Sequence, residues 1–525
     1  MCGIFLSVGS NFDGVTYEKL KESGYLAKSR GPDNSCEMTF PLGNKLVYAL
    51  FHRLSIHGLS SSGNQPMILD NYPNTVLMCN GEIYNYKELA EEYNIDLNTG
   101  SDCEIIIHLY HILGIEECIS LLDGVFSFVI INKHTQEITI GHDPIGVRSL
   151  YWSYENDHLL VSSEMKQLVV FGNKVNMYPP GSYTVINNEH CNTKEYFSLP
   201  VNRPLESYRD TNMYDLLYRK LRNAVEKRID SERPIGCFLS GGIDSSIIAY
   251  LVKDIIHPRK LETFSIGFEG SKDLEYAKLV SQHLDSNHNE YVITEEEMLN
   301  AIPDTIYQIE SYDTTTVRAS VPMFLLSKYI SRDTDIKVMF SGEGADEIFG
   351  SYLYFHNAPD EESFQNETVR LLRDIQYFDV LRGDKTTAGN GLEIRVPFLD
   401  KEFVRTCVEI HPEMKMIKYD NNIPYEKYLL RKTFEEYLPN EIIWRRKDGF
   451  SDSVSGERMW CDIIKEYADK NIHNINDRSM SNENKLYLSL FRQWYEGYEY
   501  LIPYYWMPKW SEIDDDPSGR LILGE

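Results

Sequence analysis

Up to about residue 190 the chain alternates short apolar segments with turn-forming residues. Segments 46–51, 75–79, 125–131, 137–140 and 158–162 have the short period of half-buried strands, while 17–29 and 102–113 carry helical spacing. The pattern predicts an α+β unit in which strands stack as a sandwich with helices outside. Residues 191–212 lose periodicity, contain Pro200 and Pro204, and follow the turn Pro179-Pro180-Gly181, which predicts a linker. Beyond it, apolar strands are followed by long helices: 235–239 then 245–256, 262–268 then 274–284, 336–340 then 346 onward. Strands alternating with helices imply crossover connections, so this half is expected to be α/β around a parallel sheet, with a helical tail from about residue 360. The expected division is therefore 1–190, 191–212 and 213–525.

A length of 525 residues exceeds what one hydrophobic core organises, in agreement with two domains. The net charge of −28 would repel a phosphate backbone and hides no basic block, so no nucleic-acid partner is expected. Aromatics between 494 and 510 lack interleaved Lys and Arg and read as core or docking residues. Nine scattered Cys form no metal spacing, which fits reduced thiols. There is no basic-then-apolar leader and no apolar run of ~18 residues, so a cytoplasmic protein without a membrane partner is expected.

Two segments carry chemistry. Met1-Cys2-Gly3-Ile4-Phe5 offers a thiol that becomes the first residue once Met1 is trimmed, which the small Cys2 side chain favours. Cys2 then brings its own base, because an α-amine near ~7.7–8.0 and a thiol near ~8.5 exchange a proton at little cost. A thiolate attacking a carboxamide also needs donors for the oxyanion and groups that grip a free amino acid. Asn80-Gly81-Glu82, Arg53 and Asp102 can supply them. Taken singly, each has a plainer reading: Asn80-Gly81 as a hairpin turn, Asp102 as a helix cap, Arg53 as a surface cation.

Their order is more informative. Cys2, Arg30-Gly31-Pro32-Asp33, His52-Arg53-Leu54-Ser55-Ile56, Asn80-Gly81-Glu82-Ile83-Tyr84-Asn85 and Ser101-Asp102-Cys103-Glu104 closely resemble the N-terminal-nucleophile (Ntn) glutamine amidotransferase family. The resemblance implies an αββα antiparallel sandwich like that of the Ntn hydrolases. It makes Cys2 the nucleophile on glutamine, Asn80 and Gly81 the oxyanion hole, and Arg53 and Asp102 the holders of the substrate's carboxylate and ammonium. Leu54, Ser55, Ile56, His57 and Glu82 complete the implied glutamine site. One segment departs from the family's Arg-Asp-x-x-Gly-x-x-Pro-Leu-Tyr: here His142 replaces the Arg and Ser149 the Pro, with Arg148 as the nearest compensating cation.

The second segment, Ser240-Gly241-Gly242-Ile243-Asp244-Ser245-Ser246, joins an apolar strand to a helix, where glycines let backbone N–H groups approach an anion. It is not a Gly-x-x-x-x-Gly-Lys loop, so phosphate charge must be met by a metal, which Asp244 can reach, and by basic residues elsewhere. The loop resembles the pyrophosphate-binding PP-loop of adenine nucleotide α-hydrolase-like enzymes, which cleave ATP between its α and β phosphates. Segments 313–318, 340–347, 391–400 and 444–447, and the terminal Asp516-Pro517-Ser518-Gly519-Arg520, follow the glutamine-hydrolysing asparagine synthetase family.

That resemblance implies a ligase with glutamine, aspartate and ATP as small-molecule partners and Mg2+ accompanying ATP. Leu239 and Ile266 would flank the nucleotide, Ser341 and Gly342 lie against it, and Ser240, Gly241, Gly242, Asp244 and Ser245 take the pyrophosphate. Asp244 and Asp346 would be the magnesium carboxylates, Lys447 would sit on phosphate, and Glu343 would be the acid at the acyl-adenylate site. Thr315, Thr316, Arg318 and Arg395 are substrate-site candidates, and a homodimer is an open arrangement. Competing readings are a related synthetase acting on another acid, such as a β-lactam synthetase, which has no use for Cys2, and a catalytically silent binding protein.

Overall fold

A computed structural model describes residues 1–10, 17–155, 157–187, 190–200, 212–420, 423–446, 454–456, 458–472, 480–510 and 517. The first half holds two six-stranded antiparallel sheets. In one, the strand Gly3–Gly9 runs between Lys45–Arg53 and His158–Ser162. In the other, Tyr72–Ile83 pairs along Gly124–Asn132, with Asn80 opposite Ser127 and Gly81 opposite Phe126. Alternation along each strand assigns the faces. Ile4, Leu6 and Val8 meet Val76, Met78 and Val129 between the sheets, while Phe5 packs with Leu20 and Leu168 of an outer helical layer. On the opposite side Leu77, Phe126 and Phe128 cover Ile105 and Leu109 of the helix Glu104–Leu113. The result is the expected αββα order.

The second half is built on a five-stranded parallel sheet in the order Asn287–Val292, Glu262–Gly267, Ile235–Phe238, Val338–Phe340, Glu393–Arg395. Both faces are covered. Val338 and Phe340 pack toward Ile247 and Leu251, and Met339 packs toward Ile306 and Val321. From Ile235–Phe238 the chain builds outward on one side through two strands, then returns to the other side as Val338–Phe340. Reversal of this kind opens a crevice at the carboxyl ends of the two central strands, where doubly wound sheets place ligands.

One boundary differs from expectation. Cys191–Glu195, read above as the start of a linker, is an edge strand paired with Ser182–Ile186, so the first unit continues past residue 190. All five residues are exposed, which is why no apolar period announced it. Residues 201–211 of the expected linker lie outside the described residues. Among those described, no helix is long and apolar enough to cross a membrane.

Candidate active sites

Cys2 precedes the strand Gly3–Gly9, which carries its side chain into the end of the space between the sheets. The thiol donates to the Leu54 carbonyl at 3.7 Å, and the Cys2 backbone N–H donates to Asn80 Oδ1 at 2.8 Å. With Oδ1 engaged, the buried Asn80 Nδ2 has no hydrogen-bond partner, and Asn80 itself is not among the residues that line the cavity at the thiol. The Asn-Gly pair is not a hairpin turn: it lies inside the strand Tyr72–Ile83, where long pairing overrides local turn propensity. Gly81 is required by close approach, since a Cβ there would sit 2.3 Å from the Val125 carbonyl oxygen and 2.6 Å from Phe126 Cα.

The neighbouring groups form a cavity of about 20 Å³ lined by Cys2, Arg53, Leu54, Ile56, His57, Gly81, Glu82 and Asp102. Arg53 is buried, not a surface cation. Its guanidinium donates to the Ser60 carbonyl and Asn64 Oδ1 at 2.8 Å each, and to the His57 and Gly58 carbonyls at 3.0 and 2.5 Å, which shapes the loop around the site. Asp102 Oδ2 accepts the Ile83 N–H at 2.7 Å and so ties the helix layer to the Asn-Gly strand. Ser55 does not line the cavity; its N–H donates to Asp33 and its carbonyl accepts from Arg233 of the second domain. Burial pushes the Cys2 thiol up, and burial with the charges of Glu393 and Asp102 lifts the Glu82 carboxyl well above the usual carboxylate range.

The second domain reaches this cavity. Glu393 is part of its lining and lies 3.7 Å from the amine of Met1. Arg395, expected near the acceptor of the ATP reaction, is instead found here: its Nε donates to Glu393 at 2.9 Å and its Nη2 lies 3.6 Å from Glu82. Arg30 joins the same seam, donating from Nε to the Cys2 carbonyl at 2.8 Å and pairing with Glu164 at 2.7 Å and Asp384 at 2.9 Å. The departures at 142 and 149 also face it. His142 Nε2 is 2.7 Å from the Arg148 carbonyl, Ser149 donates to Asp384 at 3.0 Å, and the Arg148 guanidinium reaches the Ile394 carbonyl at 3.3 Å.

A larger cavity, about 170 Å³, opens at the crevice of the parallel sheet. Leu239, Ser240, Gly242, Asp244 and Ser245 line it from the loop between the strand Ile235–Phe238 and the helix Ile243–Ile256. Ile266, Ser341, Gly342, Glu343 and Asp346 line it from the neighbouring strand ends. Gly241 has φ +69° and its missing Cβ would meet the Tyr276 backbone at 2.4 Å, so only glycine closes this loop. Thr315, Thr316 and Arg318 are not among the lining residues. The two threonine hydroxyls donate to Asp313 at the start of their helix, and Arg318 forms a buried pair with Glu483. Lys447, and all of the terminal 516–520 motif but Pro517, lie outside the described residues.

Matches to two family models divide the chain in the same way: the glutamine amidotransferase domain over residues 1–197, and asparagine synthase over 216–366 and 357–511. The asparagine synthetase [glutamine-hydrolyzing] of Pongo abelii is 39% identical over 99% of this chain and 98% of its own length. That of Homo sapiens is 38% identical over the same shares, and a probable asparagine synthetase of Acanthamoeba polyphaga mimivirus is 37% identical over 99% and 100%. The chain belongs to the glutamine-hydrolysing asparagine synthetase family.

Three features of this family member escaped the sequence reading. Lys427 is buried and pairs with Asp244 and Asp346 at 2.5 Å each, so the two carboxylates converge on a single cation position. No motif signals it, because the three residues are far apart in the chain. Arg382, Asp379, Glu347 and Tyr352 line the far side of the large cavity. Arg382 pairs with Glu343 at 2.5 Å and with Asp379 at 2.9 Å. Burial lifts the Glu343 carboxyl despite this arginine, with Asp379 and Asp346 adding to the effect. The i,i+3 spacing of Asp379 and Arg382 was available in the sequence but is common on solvated helix faces. The third is Glu393, whose place in the thiol cavity depends on how the two domains dock.

Proposed function

We propose that this chain converts aspartate to asparagine, taking nitrogen from glutamine and releasing glutamate, AMP and pyrophosphate. A carboxylate resists nucleophiles because its charge is delocalised, so one oxygen must first become a leaving group. Attack of the aspartate side-chain carboxylate on the ATP α-phosphorus expels pyrophosphate and leaves a β-aspartyl-AMP, whose acyl carbon accepts ammonia. Glu343, a carboxyl with raised proton affinity at the cavity wall, takes the proton that the attacking nitrogen loses. Arg382 and Asp379 offer opposite charges suited to an amino acid's carboxylate and ammonium, with Glu347, whose proton affinity is raised by burial and by Asp379 and Asp346, beside them. The PP-loop receives the pyrophosphate. Asp244 and Asp346 fit a magnesium ion by their convergence on one cation position, and such an ion would neutralise phosphate charge there. An ion held there would take over the charge that Lys427 supplies to the two carboxylates.

Nitrogen comes from the other cavity. After loss of Met1, the Cys2 amine takes the thiol proton, the thiolate attacks the glutamine carboxamide, and the oxyanion is met by Asn80 Nδ2 and the Gly81 N–H. Collapse of that adduct releases ammonia, and water then frees glutamate. Ammonia in bulk water at neutral pH is mostly protonated and inert, so it must pass as neutral NH3 through the interdomain seam without reaching solvent. The observation that carries this reading is Arg30, which holds the Cys2 carbonyl with one nitrogen and Asp384 of the ATP-using domain with another. A cytoplasmic location fits the reduced thiols that the chemistry needs.

Cys2→Ala tests the division of labour. Glutamine-dependent asparagine formation should vanish while synthesis from ammonium salts continues at the wild-type rate. Loss of both activities in a folded variant would sink the assignment.

A further inference from the structure

We propose that Glu393 and Arg395 are positioning residues of the thiol site: from the second domain's edge strand, Glu393 holds the N-terminal amine and Arg395 holds Glu82. Glutamine cleavage is then completed by the domain that does not carry the thiol. The inference rests on the glutaminase reading of Cys2 given above.

The strand is only three residues long, and its alternation sends Ile394 into the core of the second domain while Glu393 and Arg395 share the opposite face. That face meets the first domain. Arg395 is anchored through Nη1 to the carbonyls of Arg228 and Asp230, and through Nε to Glu393, so its plane is set by its own domain. Its remaining nitrogen, Nη2, is buried without a hydrogen-bond partner and lies 3.6 Å from Glu82 Oε2. Glu82 sits directly after the Asn80-Gly81 pair, so a guanidinium fixing its carboxyl group also fixes the end of the strand that carries the proposed oxyanion donors.

Glu393 acts on the base. Its Oε2 lies 3.7 Å from the Met1 amine, and it lines the same cavity as Cys2, whose nitrogen, bonded to Asn80, becomes the amine once Met1 is trimmed. Burial drives the Met1 amine toward its neutral form, and the Glu393 carboxylate pulls the other way. Burial opposes ionisation of Glu393 itself, but Arg395, the amine and Arg148 outweigh it and hold the carboxyl at about 2, so it is charged at any working pH. The other charged and titratable groups facing the amine are Arg30, Arg148 and the Cys2 thiol, with Arg53, His57, Glu82 and Asp102 lining the same cavity.

The sign follows. A carboxylate that favours ammonium raises the pH at which the amine becomes a base, so removing its charge must lower that pH. In the full-length enzyme, Glu393→Gln should move the acid limb of glutaminase kcat/KM to lower pH by on the order of one unit. Arg395→Lys, which cannot span the same acceptors, should lower kcat for glutamine cleavage by roughly tenfold with a smaller change in KM. Both variants should keep ammonia-dependent synthesis within about twofold of wild type, which also reports folding. If wild type releases no glutamate from glutamine, the reading of the thiol site fails. If wild type does so and the Glu393→Gln limb stays in place, or if ammonia-dependent synthesis falls in parallel, the inference alone is overturned.

Discussion

An asparagine amide has two ends, and at residue 80 they divide between two tasks. Oδ1 accepts the Cys2 N–H, which fixes the side chain's orientation, and the buried Nδ2 has no hydrogen-bond partner, as the proposed oxyanion role requires. Removing it should matter most when negative charge develops on the substrate oxygen. Asn80→Ala is expected to lower glutamine-dependent kcat by roughly 10²–10³ with a smaller change in KM. A matched rise in KM with kcat intact, in steady-state glutamate release, would instead make Asn80 a ground-state contact. Residues of this kind were legible because the chemistry confines them to a few adjacent positions: a first-residue thiol, an Asn-Gly pair, a Ser-Gly-Gly-x-Asp-Ser loop. Lys427 and Arg382 were not, because each is defined by partners far away in the chain. Lys427 is 183 residues from Asp244, and Arg382 is 39 from Glu343.

At the scale of elements, the turn after the strand Glu137–His142 shows how a backbone shape is imposed by one side chain. Asp143 Oδ1 accepts the N–H groups of Ile145, Gly146 and Val147 at 3.0, 2.7 and 3.1 Å, and its Oδ2 accepts that of Arg148 at 3.1 Å. Four donors on one buried carboxylate hold Arg148 and Ser149 against the second domain. Asp143→Ala strands those donors and is expected to cost on the order of 2–4 kcal/mol, seen as a lower melting temperature. It should also loosen the seam, so that more glutamate is formed per asparagine. A lower melting temperature with an unchanged ratio would make the turn purely structural. Elements with a strong period were predictable, as the helix at 104–113 and the strands of the sandwich illustrate. Cys191–Glu195 and Glu393–Arg395 were not. The first is fully exposed and the second spans three residues, so neither carries enough alternation to be read without its pairing partner.

The whole molecule depends on a buried ionic lattice between its domains. From the first come Arg30, Glu164 and Lys166; from the second come Glu310, Asp384 and Lys385. Arg30 pairs with Glu164 and Asp384, Lys166 with Glu164 at 2.6 Å, and Lys385 with Glu310, which also accepts the N–H groups of Met165 and Lys166 at 2.7 and 2.8 Å. Such a lattice is a weak source of net stability, because desolvation offsets most of its attraction, but it penalises incorrect docking severely. Breaking it from one side leaves the opposite charges buried and unmatched. Glu164→Gln should therefore cost about 3–5 kcal/mol at neutral pH. The same residue gives a pH signature. Burial would raise its carboxyl, but Lys166, Lys385 and Arg30 more than reverse that and hold it at about 2, below the ~4.3 of an unfolded Glu. Its contribution is then complete above about pH 5 and is lost as pH falls toward 2. Wild-type melting temperature should decline through that window, and the Glu164→Gln curve should be lower at neutral pH and flatter across it. Parallel curves would show that other carboxylates control acid unfolding and that the seam does not open first.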